Sequence, residues 1–165
     1  MKRILLLSDT HGYLDPRIKE MSKDVDEIWH AGDIGSIELL NELKRLKPTR
    51  AVFGNIDNID VRSELKEVER FTCENVEVLM THIGGYPGKY SSRIKSEMER
   101  HAPQIQVSGH SHILKVLYDK KYNCLHINPG AAGKYGIHTI MTIIKFSIDG
   151  EEIKDMEVVE LGKRA

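Results

Sequence analysis

Five apolar segments spread along the chain each end in a residue that can bind a metal. Lys2–Ser8 leads into Asp9-Thr10-His11, Glu27–Ala31 into Gly32-Asp33, and Thr49–Phe53 into Gly54-Asn55. Val76–Thr81 leads into His82, and Gln104–Ser108 into Gly109-His110-Ser111-His112. A repeated pattern of this kind restricts the fold to one in which the carboxyl ends of several buried strands share a rim, the place where open α/β sheets bind ligands. Taken singly, each residue has a plainer reading: Asp9 as a cap or turn former, His82 as a half-buried histidine bonded to backbone. All the plain readings would have to hold at once, so together the residues point to a metal centre.

The first half alternates strand and helix. Lys2–Ser8 reads as a strand buried on both faces. A helix is expected over Pro16–Lys23, with Pro16 suited to its first turn. Ser36 is placed to cap a helix through Leu46, whose stripe is Ile37, Leu39, Leu40, Leu43 and Leu46; Pro48 follows its end. This β-α-β-α-β order predicts a parallel sheet with right-handed crossovers. The second half is richer in strands: Arg70–Cys73 and Val76–Thr81 around Glu74-Asn75, then Gln104–Ser108, Ile113–Tyr118 and Tyr122–Ile127. A helix is expected over Tyr90–His101, and a closing hairpin over Thr139–Ile148 and Glu152–Val159 around Asp149-Gly150. The expectation is two sheets packed face to face with helices outside, in a single domain covering residues 1–165.

Bulk properties narrow the function. With 24 Lys/Arg against 25 Asp/Glu and no long run of either sign, the chain lacks the basic stripe of a protein that coats long nucleic acid. No segment approaches the ~20 apolar residues of a membrane span, and the apolar run Ile4–Leu7 is too short for a signal peptide. A cytoplasmic location is therefore expected. Cys73 and Cys124 are the only cysteines and have no zinc-ribbon spacing.

The candidate ligands are Asp9, His11, Asp33, Asn55, His82, His110 and His112. Mixed carboxylate and imidazole donors suit transition ions better than Ca²⁺ or Mg²⁺, and seven donors exceed what one such ion takes while keeping a position open. Two divalent ions are expected, manganese first, with nickel, zinc or iron as alternatives. Two ions ~3.5–4 Å apart can clamp a phosphoryl group and hold a bridging hydroxide for in-line attack. Against two aspartates such a centre is net positive and suits an anionic substrate.

At these residues the sequence resembles the calcineurin-like metallophosphoesterase family, through Asp9-Thr10-His11, Gly32-Asp33, Gly54-Asn55, His82 and Gly109-His110-Ser111-His112; Asn128-Pro129-Gly130 resembles a further segment of its small phosphodiesterase branch. The resemblance implies a four-layer αββα sandwich of two mixed β-sheets flanked by helices. It implies Asp9, His11, Asp33 and His112 on one metal and Asp33, Asn55, His82 and His110 on the other, bridged by Asp33. Asp33, Asn55 and His110 would carry catalysis.

One position departs from the family pattern. Ile56 stands where much of the family has a histidine that serves as proton donor or phosphate contact. The expected function is therefore phosphodiester hydrolysis, best with activated esters. The alternatives are a phosphomonoesterase and a non-catalytic protein-binding scaffold of the same fold. Asn55 is also a candidate substrate contact, as is His138 after the glycine-rich Gly130–Gly136 loop, a candidate replacement for the missing acid. His30 reads as a support for a ligand or as a plain buried strand residue, and Asp57 as support for Asn55 or its loop. Exposed apolar residues in the second half could pair chains into a homo-oligomer.

Overall fold

A computed structural model describes residues 1–164; Ala165, the last residue of the expected domain, lies outside the described residues. The elements run β1 (Lys2–Leu7), α1 (Pro16–Ser22), β2 (Glu27–His30), α2 (Ile37–Leu46), β3 (Thr49–Ala51), α3 (Ile59–Glu64), β4 (Val68–Cys73), β5 (Val76–Thr81), β6 (Gly85–Tyr86), β7 (Lys89–Tyr90), α4 (Ser92–Arg100), β8 (Ile105–Val107), β9 (Leu114–Asp119), β10 (Cys124–Pro129), β11 (Ile140–Asp149) and β12 (Glu152–Lys163).

The strands build two five-stranded sheets, β12-β11-β1-β2-β3 and β4-β5-β8-β10-β9, with β6-β7 as a separate ribbon. β1, β2 and β3 are parallel, as are β5, β8 and β10. β11 and β12 add antiparallel strands to the first sheet, and β4 and β9 to the second. Both sheets are therefore mixed.

Alternation along the strands divides the core into layers. Ile4, Leu6, Trp29, Phe146 and Ile148 from the first sheet meet Phe71, Val78, Met80, Ile105, Val107 and Ile127 from the second. Trp29 anchors this layer, edge-on to Phe71 at 5.0 Å and Phe146 at 5.5 Å. Leu5, Leu7 and Ile28 point the other way and pack on Ile18 of α1, Leu39, Leu40 and Leu43 of α2 and Val61 of α3. Leu79 and Cys124 of the second sheet pack on Ile94 and Met98 of α4. The result is an αββα sandwich, as the family resemblance implied.

Local chemistry sets the helix starts. Asp15 accepts from the Arg17 N–H ahead of Pro16, and Ser36 Oγ accepts from the Leu39 N–H. The structure moves some expected boundaries. α4 begins at Ser92 because Ser91 caps it and Tyr90 belongs to the ribbon. β3 stops at Ala51, with Val52 contributing a lone bridge to Lys66. β12 runs to Lys163, beyond the expected Val159. No helix among the described residues is long and apolar enough to cross a membrane.

Candidate metal centre

The parallel strands of both sheets point their carboxyl ends at one rim, so β1, β2, β3, β5 and β8 deliver all seven candidate ligands to one place. Neighbouring rim segments are tied to each other by backbone: Asp9 N–H donates to Gly32 O (3.0 Å), His11 N–H to Asp33 O (3.0 Å) and Gly109 N–H to His82 O (3.0 Å). The backbone is left-handed at Asp9 (φ 55°), His11 (47°), Asp33 (55°), His110 (70°) and His112 (62°). A left-handed non-glycine residue costs roughly 1–2 kcal/mol, and such strain gathers where function requires it. Five of the seven candidates carry it.

Each aspartate presents one oxygen to the centre and anchors the other. Asp9 Oδ2 accepts from Ser8 Oγ (2.6 Å) and the His110 N–H (3.1 Å). Its Oδ1 is left facing His112 Nε2 at 3.2 Å and the Nε2 atoms of His11 and His82 at 3.8 Å. Asp33 Oδ1 accepts from the Ile56 N–H (3.0 Å), while Oδ2 lies 3.4 Å from His11 Nε2 and 3.1 Å from His82 Nε2. Gly54 makes this packing possible, because a Cβ there would lie 2.1 Å from Asp33 Oδ1. Asn55 Oδ1 and His110 Nδ1 are 3.1 Å apart.

These donors fit divalent ions. Asp9 Oδ1, His11 Nε2 and His82 Nε2 are buried and have no hydrogen-bond partner among the described residues, a costly state for a native interior. Donor atoms of Asp9, His11 and His112 all lie within 4.8 Å of one another, as do those of Asp33, His82 and His110. Ligands ~2.0–2.2 Å from one ion sit ~3–4.4 Å apart, which matches the separations above.

The charges of these side chains lean on each other. Asp33 and then Asp9 raise the His11 imidazole to about 9. Burial works against charging His82, yet Asp33 and Asp9 still raise it. Burial would lift the Asp9 carboxyl, but His11 and His112 hold it well below the usual carboxylate range. Burial lowers His110.

Several supports surround the candidate ligands. His82 Nδ1 donates to Ala31 O (2.8 Å), which turns Nε2 toward the carboxylates. Thr10 Oγ1 donates to Ile34 O (2.9 Å) and so accepts from His30 Nε2 (2.9 Å), while His30 Nδ1 accepts from the Gly32 N–H (3.1 Å). His30 is fully buried, which lowers it to about 4, and as a neutral strut it links the loops after β1 and β2. Asp57 accepts from the N–H groups of Ile34 (3.2 Å), Gly35 (2.8 Å) and Gly54 (2.8 Å), joining the Asp33 loop to the Asn55 loop. Arg62, on the unexpected α3, donates to Asp57 O (2.6 Å) and Asn55 O (3.2 Å).

His138 is placed behind His112 and is buried. Its Nε2 donates to Gly133 O (2.7 Å), so its Nδ1 accepts from His112 Nδ1–H (3.2 Å). Both of its nitrogens are engaged, leaving neither to meet a substrate or give up a proton. The geometry fits it instead to orienting His112, whose Nε2 is left as a bare lone pair toward Asp9. Gly136 permits this, since a Cβ there would lie 2.2 Å from His112 Nδ1. Ile56 is 44% exposed, and its own side chain has no proton to give. Sequence reasoning missed Ser8, Thr10 and Arg62 as supports. Ser8 and Thr10 flank Asp9 and could have been suspected from that alone, whereas nothing in sequence marks Arg62.

Comparison with known proteins identifies the family and the fold. Residues 1–151 match the family model described as the calcineurin-like phosphoesterase superfamily domain. A probable metallophosphoesterase of Methanothermobacter thermautotrophicus is 29% identical over 168 residues, covering 95% of this chain and 91% of that protein. Two solved structures share the fold. A novel archaeal phosphodiesterase has a TM-score of 0.72 at 22% identity, covering 95% of this chain and 99% of its own. Zn²⁺-complexed Vps29 of Entamoeba histolytica has a TM-score of 0.74 at 16% identity, covering 99% of both chains.

Proposed function

This chain belongs to the calcineurin-like phosphoesterase superfamily, and on that premise we propose that it is a two-ion phosphodiesterase acting on small phosphodiesters. The observation that carries the proposal is the position of Asp33. One of its oxygens is fixed by the Ile56 N–H and the other lies within 3.4 Å of His11 Nε2 and 3.1 Å of His82 Nε2, where it faces both donor clusters. Asp9, His11, Asp33 and His112 would hold one ion; Asp33, Asn55, His82 and His110 would hold the second. Manganese is the first choice for both, ahead of nickel, zinc or iron. Bound divalent ions polarise phosphoryl oxygens and lower the pKa of water far enough to give a nucleophile near pH 7.

The chain's own residues do the rest. The carboxylates of Asp9 and Asp33 are already ionised and held in place by fixed donors. Asn55 and His110 lie at the more open side of the site and meet the substrate there. No side chain at Ile56 supplies a proton to the departing oxygen, which favours esters whose leaving group needs none.

The test is a metal-by-substrate screen on chelated and reloaded protein, comparing bis(p-nitrophenyl) phosphate with p-nitrophenyl phosphate. Metal-restored hydrolysis that prefers the diester is expected; a flat result with every metal refutes the enzyme reading. One observation favours a second role, as a protein-binding scaffold: β9 is an edge strand with Leu114, Val116, Leu117 and Tyr118 exposed beside Ile113. Such surface is suited to a partner or a second copy of the chain. A pure scaffold shows no hydrolysis at any Mn²⁺ or Ni²⁺ concentration.

A further inference from the structure

Beside His110 the rim opens into a cleft of about 180 Å³ that hydrolysis alone leaves without a task. Its walls are Ile83, Tyr86 and Ile113, and the backbone of Gly84 and Gly85 forms another side. Its polar groups include His126 and Lys115. The Lys115 ammonium lies 3.9 Å from the centre of the Tyr86 ring. A cleft this apolar has little to offer a phosphate, yet it begins at a candidate ligand.

His126 gives the cleft its specificity. The residue is 1% exposed, and burial lowers it to about 4, so it is neutral at pH 7. Its tautomer follows from its neighbour. Gln106 Nε2 donates to Val107 O and Ser108 Oγ, both at 2.9 Å, so Gln106 Oε1 is the acceptor facing His126 Nδ1 at 2.7 Å. The ring proton is therefore on Nδ1, and Nε2 is a bare acceptor. No hydrogen bond reaches that atom among the described residues, although the residue lines the cleft. The atom is not among the sealed unpaired ones, so it faces the cleft, where a donor entering can reach it.

We infer that the cleft is the subsite for one arm of the phosphoester, a flat heteroaromatic ring whose N–H donates to His126 Nε2 and whose neighbouring carbonyl accepts from Lys115. An N–H beside a C=O is the edge of a uracil-type base. The inference rests on the phosphoester reading of the adjoining centre. Drug-sized ligands occupy pockets of ~300–1,000 Å³, so this smaller cleft holds a single ring. The isoleucines and Tyr86 bury its faces, and His110 marks where ring and phosphate meet.

The test is calorimetric binding to Mn²⁺-loaded protein of uridine 5′-monophosphate, its N3-methyl analogue, ribose 5-phosphate and inorganic phosphate. Uridine monophosphate is expected to bind about tenfold or more tighter than ribose 5-phosphate, from ring stacking and the added hydrogen bond. N3-methylation should remove most of that margin. His126→Phe should bring the uridine-to-ribose ratio toward one. Because His126 is buried, Tyr86→Ala on the exposed ribbon serves as the second variant and should also lower the ratio. Equal binding of uridine monophosphate and ribose 5-phosphate, with inorganic phosphate still bound, overturns the subsite and leaves the phosphoester reading standing. Equal binding of the methylated and unmethylated nucleotides overturns the assignment of His126 as acceptor. If inorganic phosphate and all three organic phosphates fail to bind, both readings fall.

Discussion

Asp57 is the most exacting test of how the rim is held together. Its carboxylate is 4% exposed and accepts three backbone N–H groups, Gly35 on Oδ1 and both Ile34 and Gly54 on Oδ2. Asp57→Ala leaves three donors in a buried place at ~1–3 kcal/mol each. Water entering the space offsets part of this, so we expect a loss of about 3–5 kcal/mol, within the 5–15 kcal/mol typical of a whole domain. Asp57→Asn is expected to cost less, about 1–2 kcal/mol. Its amide oxygen can keep the two bonds at Oδ2, while its NH₂ faces the Gly35 N–H. Urea unfolding of the ion-free protein should return that order. Since Asp57 also sets Asp33 against Asn55, both variants should weaken Mn²⁺ binding, by the ~10–100-fold usual for groups that orient ligands. An alanine variant within 1 kcal/mol of the parent, or one binding Mn²⁺ unchanged, refutes the reasoning.

Other outcomes follow from the same geometry. His138→Phe should weaken Mn²⁺ binding about 10–100-fold by freeing the His112 ring, with partial recovery in His138→Gln; titration calorimetry decides, and unchanged affinity in the Phe variant removes the positioning role. Ile56→His should raise turnover of diesters with poor leaving groups by up to ~10²-fold, while leaving activated aryl esters nearly unaffected. Equal gains or none for both substrates, from steady-state kinetics, count against the missing-acid argument. His30 and His126 are both lowered to about 4 in the folded protein, below an unfolded value of ~6.5. The unfolded chain then binds more protons, so stability is full above pH ~6.5 and falls as pH drops toward 4, by on the order of 3 kcal/mol per histidine. Urea midpoints at pH 7 and pH 4.5 measure this, and His126→Phe should flatten the slope.

The pattern of strand, small residue and ligand was readable because burial and chemistry agree there. Ile4–Leu7 must be covered on both faces, and Asp9 cannot lie in that core without a partner. The Ser36 cap and the apolar stripe of α2 were readable for the same reason. α3 was not, since Val61 is its one buried residue and Ile59 is 76% exposed, leaving no periodicity to see. The β6-β7 ribbon has only two residues per strand, too few for alternation. Asp57 was legible as a support for its loop, but the three amides it holds depend on how β2 and β3 bring their loops together. His138 was less legible: its place after a glycine-rich loop made it a candidate substrate contact, and only the structure shows that Gly136 lets the loop press against His112. Distances in sequence do not reveal which nitrogen of a histidine is already engaged.

The central claim is that one carboxylate serves two ions. The most direct measurement is the number of Mn²⁺ ions bound per chain, by calorimetry with elemental analysis of the purified complex, in the parent and in Asp33→Ala. The account predicts two ions per parent chain, phosphodiester hydrolysis that appears only as the second site fills, and loss of tight binding at both sites in the variant. Full hydrolysis with one ion per chain, or two tightly held ions in Asp33→Ala, would contradict it.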